Sequence, residues 1–141
     1  MQNTDYEKNR HSCYYLKFHL VVVIKYRHPV LEIPEIKDQL IEISYKLFEK
    51  EWHCKIENIN TDKDHIHILF SSKPQVQLSK LINNYKTVTS RLLRKQFAEQ
   101  LKPYFWKPYF WSDSYFIGTV SEVAESMIYK YIDNQGKNKK L

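Results

Sequence analysis

From Tyr14 to Ile24 every even-numbered residue is apolar, while Lys17, His19 and Lys25 fall among the odd ones. Alternation at a period of two is the pattern of a strand with two unlike faces, so this segment predicts a long strand that separates a core from a more polar surface. A second segment, 65–71, alternates in the same way: Ile66, Ile68 and Phe70 share one phase, His65 and His67 the other. Between and after these strands the period changes. Ile36, Leu40, Ile43 and Leu47 recur at three and four residues, with Pro34 at the expected first position, and predict a helix over 34–50. Leu78, Leu81, Ile82, Tyr85, Val88, Leu92 and Leu93 predict a longer helix over 76–100.

Residues 52–60 read as a strand joined to 65–71 by the polar turn 60–64, and 115–120 as a further strand reached through an aromatic connection at 103–113 with two prolines. Thr119 and Glu122 have the spacing of a capping box for a last helix running to about Asn134, with Gly136 placed to stop it. The order is βαββαβ plus a C-terminal helix, which predicts an α+β, ferredoxin-like fold with an antiparallel sheet. In that topology the first and third strands are central, and the face opposite the two packing helices displays His65 and His67. The expected organisation is a flexible arm at 1–12, a single domain over 13–136 and a basic tail at 137–141.

Charge and composition narrow the partners. Lys+Arg 22 against Asp+Glu 16 gives a net charge of +6, which favours polyanions. Only Cys13 and Cys54 are present, the N-terminus has no apolar leader, and the longest apolar run, 20–24, falls far short of the roughly 20 residues of a membrane span. A cytoplasmic, nucleoid-associated protein without a membrane partner is expected.

Three constellations carry chemistry. His65 and His67, two apart on a strand, present two imidazoles to one side, a start for a divalent-metal site that needs a third ligand. Asp62, Asp64, His19 or a group from the last helix are the candidates, against the plain alternative of two surface histidines. On the last helix Tyr131 and Gln135 are one turn apart, so a phenol and an amide oxygen project together; packing beside Ala124, Ile128 and Ile132 is the bland alternative for Tyr131. Lys80, Asn84, Thr87 and Arg91 form a row on the second long helix with Arg94 and Lys95 beside it and Lys86 nearby, able to follow a phosphate backbone or simply to face solvent. The aromatics of 104–111 would supply stacking surfaces for bases.

Taken together, five segments resemble the HUH-type, single-tyrosine transposases of small insertion sequences that move as single-stranded DNA. They are 25–31 (KYRHPVL), 64–69 (DHIHIL), 86–94 (KTVTSRLLR), 110–120 (FWSDSYFIGTV) and 131–135 (YIDNQ), in that order across nearly the whole chain. The resemblance implies that His65, His67 and Gln135 hold Mg²⁺ or Mn²⁺ and that Tyr131 is the nucleophile, forming a 5′-phosphotyrosine intermediate. It also implies recognition of single-stranded DNA carrying hairpins near the element ends, and homodimers with shared active sites. Tyr129, the rival nucleophile, is rotated about 200° along the helix from Tyr131, off the Gln135 face. One departure is Ser121 after Val120, where many relatives have glycine. Two other readings stand beside this one: a domesticated relative acting on genomic hairpin repeats, and a non-catalytic ferredoxin-like module that binds nucleic acid.

Overall fold

The computed structural model describes residues 7–8, 13–14, 16–120 and 125–137. Within them, β1 (Glu7–Lys8) and β2 (Cys13–Tyr14) pair as a small antiparallel ladder. The main sheet is built from β3 (Lys17–Val23), β4 (Lys55–Asp62), β5 (His65–Ser71) and β6 (Phe116–Thr119) in the order β4-β5-β3-β6, every neighbour antiparallel. This is the ferredoxin-like arrangement expected from the element order, with β3 and β5 at the centre. The hairpin turn between β4 and β5 is tighter than the sequence suggests: pairing continues to Asp62 opposite His65, leaving only Lys63 and Asp64 in the turn.

The alternation of β3 sorts its side chains between two cores. Leu20, Val22 and Ile24 join Ile66, Ile68 and Phe70 of β5 in the main core, beneath α1 (Pro34–Tyr45) and α2 (Leu78–Gln96). Removal of such side chains from water stabilises by roughly 1.5–3 kcal/mol each, so this face fixes the strand register. The two helices are tied by a buried polar contact: the hydroxyl of fully buried Tyr85 lies 2.7 Å from Ser44 Oγ, and Ser44 Oγ donates to the Leu40 carbonyl. Trp111, in the connection after α2 and the short α3 (Ala98–Leu101), donates from Nε1 to Thr89 Oγ1 at 2.9 Å, anchoring the aromatic segment on α2.

The opposite face of the sheet is not open. Val21 and Val23, on the odd phase of β3, are fully buried against Ile128 and Ile132 of α4 (Glu125–Lys137), with Phe116 and Tyr131 packed alongside. The last helix thus uses the apolar stripe identified in the sequence to cover part of the face that carries the histidines. It runs to Lys137, past the Gly136 expected to end it. The capping residue Glu122 and the distinctive Ser121 lie outside the described residues.

Two local features have no periodic signature. Helix α1 continues into a π-helical turn at Lys46–Glu51, closed by Cys54 N–H donating to the Phe48 carbonyl at 2.8 Å and Ile56 N–H to Glu49 Oε2 at 2.9 Å. After β3, Tyr26 (φ 60°) and Arg27 (φ 55°) occupy the left-handed region, which is unfavourable for bulky residues. The turn is held by Lys25 N–H to the Phe110 carbonyl and Arg27 N–H to the Ile24 carbonyl, both at 2.8 Å.

Candidate active site

The strained turn delivers a guanidinium to the end of β5. Arg27 Nε donates to Asp64 Oδ2 at 2.8 Å, while the other oxygen of Asp64 accepts from His65 Nδ1 at 2.9 Å. Asp64 is 3 % exposed, so both oxygens are committed in a buried setting. Burial would raise its carboxyl, but the hydrogen bonds and charges of His65 and Arg27 outweigh that and hold it below the usual carboxylate range. Because a carboxylate only accepts, His65 donates from Nδ1 and turns Nε2 away from Asp64. Asp64 is therefore an orienting group for His65 and is not free to serve as the third ligand.

Two residues along β5, His67 Nε2 lies 2.8 Å from His19 Nδ1, and the rings are 5.0 Å apart. Burial, helped by the charges His19 and His65 would carry, pushes His67 down to about 4; burial also lowers His19. His67 is thus a neutral imidazole at physiological pH, the form in which histidine ligates a metal. The donor types, a neutral imidazole and a second imidazole oriented by Asp64, fit a divalent cation. Among the described residues, however, no three His, Cys, Asp or Glu side chains converge as a complete cage, so a further ligand of another type or from elsewhere is required. Asp62, another candidate, is exposed and accepts from the Lys63 backbone N–H through Oδ1.

On α4, Tyr131 and Gln135 are brought together through Ser114, in the loop before β6. Ser114 Oγ lies 2.9 Å from the Tyr131 hydroxyl and donates to Gln135 Oε1 at 3.3 Å. Since the serine has one proton, Tyr131 donates to Ser114, which donates to Gln135. The half-buried Tyr131 ring rests on Phe116, 5.7 Å between centroids, and burial raises its hydroxyl above the ordinary tyrosine range, partly offset by Ser114. Tyr129 is 56 % exposed. Among the described residues no hydrogen bond or ring contact joins Tyr131 or Gln135 to His65 or His67. The two groups are connected through the fold: α4 covers Val21 and Val23, which pair with His67 and His65 in the sheet, and Arg27 NH1 reaches Asp133 of α4 at 3.8 Å.

The basic helix face divides. Lys80, Arg91 and Lys95 are exposed, and Arg94 is half-buried with Nε donating to Ser90 Oγ. Lys86 turns inward: its Nζ donates to the carbonyls of Ser112 at 2.8 Å and Ser114 at 3.3 Å, bracing the loop that holds Tyr131. Burial lowers the Lys86 ammonium despite Asp113 nearby. The contributions of Ser114 and Arg27 have no spacing signal in the sequence, because each acts across a loop closed only in three dimensions.

Comparison with known proteins gives this arrangement a lineage. The model of the family described as "Transposase IS200 like" matches residues 12–135. The chain belongs to that family of transposases. It is 32 % identical over 129 residues to the ISDra2 transposase TnpA of Deinococcus radiodurans, an alignment covering 92 % of this chain and 90 % of the relative. The crystal structure of a candidate transposase from Deinococcus radiodurans R1 superposes with a TM-score of 0.80 at 29 % identity, covering 92 % of this chain and 97 % of that one. A REP-associated tyrosine transposase bound to a REP hairpin shares the fold, with a TM-score of 0.50 at 12 % identity over 90 % of this chain and 68 % of that one. The family makes this an enzyme acting on DNA. Among the described residues no helix is long and apolar enough to cross a membrane.

Proposed function

We propose that this transposase cleaves and rejoins single-stranded DNA at the ends of an insertion sequence, recognises subterminal hairpins, and uses Tyr131 as the nucleophile. The observation that carries this reading is the chain of hydrogen bonds from Tyr131 through Ser114 to Gln135 on a helix packed against the sheet that bears His65 and His67. A nucleic-acid-binding module has no use for an imidazole pair on a sheet covered by a helix whose phenol is linked through a serine to an amide.

In the cleavage step the Tyr131 oxygen forms a bond to phosphorus and the bond from phosphorus to the 3′ oxygen breaks. The products are a 5′-phosphotyrosine and a free 3′-OH, and the phosphodiester energy is retained for transfer to another 3′-OH. The phenol proton passes to solvent as the nucleophile forms, because the Ser114–Gln135 chain ends on an amide oxygen that is not a base; the chain orients the hydroxyl. The leaving 3′ oxygen takes up a proton to become the hydroxyl. Mg²⁺ or Mn²⁺ held by His65, His67 and Gln135 would supply charge stabilisation at the scissile phosphate. Asp64 fixes the tautomer of His65 for that role, and Arg27 neutralises Asp64 so that the carboxylate remains ionised when buried. Gln135 Oε1 has a second lone pair beyond the one Ser114 engages.

The shared-site homodimer belongs to the same proposal. It is what the resemblance to the family implies, and Met127 and Tyr129, 46 % and 56 % exposed on α4, offer apolar surface for a partner chain to cover. A reaction on chromosomal DNA places the protein in the cytoplasm, with the nucleoid.

The test is strand cleavage of single-stranded DNA carrying an element end and its hairpin. Wild-type protein should cleave with Mg²⁺ or Mn²⁺ and stop in EDTA; His65→Ala and His67→Ala should not be restored by added metal. Undiminished cleavage by thoroughly stripped wild-type protein would remove the metal from the mechanism.

A further inference from the structure

We propose that Trp106, with Lys107 and Arg94, forms a stacking site for an unpaired DNA base beside two cavities walled by the aromatic connection. The inference rests on the proposed function for the identity of its ligand and adds a binding residue to it.

Trp106 is 83 % exposed, by far the most exposed large aromatic among the described residues. A single exposed apolar side chain is ordinary; this one is presented by a stiff loop. Its neighbours Phe105 and Tyr109 make an edge-to-face ring contact at 6.4 Å, Phe105 N–H donates to the Leu101 carbonyl at 3.1 Å, and Tyr109 N–H donates to the Lys107 carbonyl at 2.6 Å. Lys107 Nζ lies 4.7 Å from the indole centroid, so the ring is paired with a cation and still has most of its surface in water. These contacts are made by the neighbours of Trp106, so the backbone that carries the indole is already ordered before binding.

The same loop walls two cavities. One cavity of about 390 Å³ lies between α2 and the aromatic connection, lined by Lys86, Thr87, Arg94 and Asp113 among others. A second of about 210 Å³ is lined by Lys102, Phe105 and Lys107. The two adjoin, with Arg94, Pro108 and Tyr109 lining both. Ser112 and Asp113 of the first cavity precede Ser114, which bonds Tyr131, and Lys107, which lines the second, lies against the Trp106 indole. The one acid lining the two cavities, Asp113, is 3.2 Å from Lys25, and Lys102 is engaged with Glu99 at 3.7 Å. The charge left for a phosphate is that of Arg94, whose Nε alone is used by Ser90, and of Lys107. An exposed aromatic beside a cationic surface fits a single strand, whose bases are free to stack; in a duplex the base faces are covered.

The experiment measures equilibrium binding of a short unpaired DNA oligonucleotide of mixed sequence, the same oligonucleotide with abasic positions, and its duplex. Wild type, Trp106→Ala, Trp106→Phe and Arg94→Gln are compared. Loss of one base–aromatic stack should weaken binding of the unpaired strand by about 5- to 100-fold in Trp106→Ala. Trp106→Phe should recover most of it, and abasic DNA should bind wild type and Trp106→Ala alike. Arg94→Gln should weaken all single strands and flatten their salt dependence. Equal binding of the unpaired strand by wild type and Trp106→Ala overturns the proposal, as does an equal loss on duplex, which would make Trp106 a general support of the surface. Covalent attachment at Tyr131 is scored separately: its absence from a protein that shows the Trp106-dependent stack would count against the proposed chemistry and leave the stacking site in place.

Discussion

Replacement of Asp64 probes the link between the fold and the chemistry. In Asp64→Ala the Arg27 and His65 hydrogen bonds, at 2.8 and 2.9 Å, are both lost, while the backbone bond from Ile24 N–H to the residue 64 carbonyl is retained. A hydrogen bond to a buried charged group contributes about 1.5–3 kcal/mol. The bond from His65, whose side chain is 15 % exposed, falls in that range, whereas Arg27 at 31 % exposure is closer to a surface ion pair worth about 0–1 kcal/mol. Relief of the carboxylate's own desolvation offsets part of the sum, so a net loss of about 2–3 kcal/mol is expected. For a chain of this size that lowers Tm by about 6–10 °C, measurable by calorimetry. Because His65 would lose its fixed tautomer, the Mg²⁺ midpoint for cleavage should also rise by about 10- to 100-fold. Asp64→Asn, which keeps the shape and one acceptor, should fall between the two. Refutation would be a Tm within about 1 °C of wild type together with an unchanged Mg²⁺ midpoint, since both follow from the same pair of bonds.

Two further outcomes follow from the surface and from the proposed dimer. Arg91→Ala or Lys80→Ala, both on the exposed face of α2, should weaken single-strand binding and reduce the slope of log affinity against log salt by about 0.7 each, read by titration at several salt concentrations. Mixing Tyr131→Phe with His67→Ala protein under conditions of subunit exchange should restore roughly a quarter of wild-type single-end cleavage if sites are shared in a two-fold dimer, and none if each chain uses its own tyrosine.

Much of the architecture is legible because it is periodic. Alternation in 16–24 and 65–70 separates Leu20 and Ile66 from His19 and His67 before any coordinates are known, and the helical stripes assign α1, α2 and the Ile128–Ile132 side of α4. What periodicity cannot supply is the partner of each face. The wheel of α2 puts Lys86 beside an outward basic row; only the aromatic connection, folded back through Trp111 on Thr89, offers the carbonyls that turn it inward. The face left exposed in the expected fold is half covered, because burying Val21 and Val23 under α4 outweighs leaving them wet. Asp64 and His19 are visible beside the histidines as candidate ligands, but His19 bonds His67 across the sheet and Asp64 is engaged by Arg27, which reaches it through a left-handed turn that sequence propensity disfavours.

The central claim is that Tyr131 is the attacking group, and the direct measurement is the site of covalent attachment. Single-stranded DNA carrying an element end is incubated with the protein and divalent metal, the complex is trapped and digested, and the nucleotide-bearing peptide is identified by mass spectrometry. A 5′-phosphate is expected on Tyr131, absent from Tyr131→Phe protein that still binds the DNA. An adduct on Tyr129 or on any other residue, or efficient cleavage by Tyr131→Phe, would contradict it.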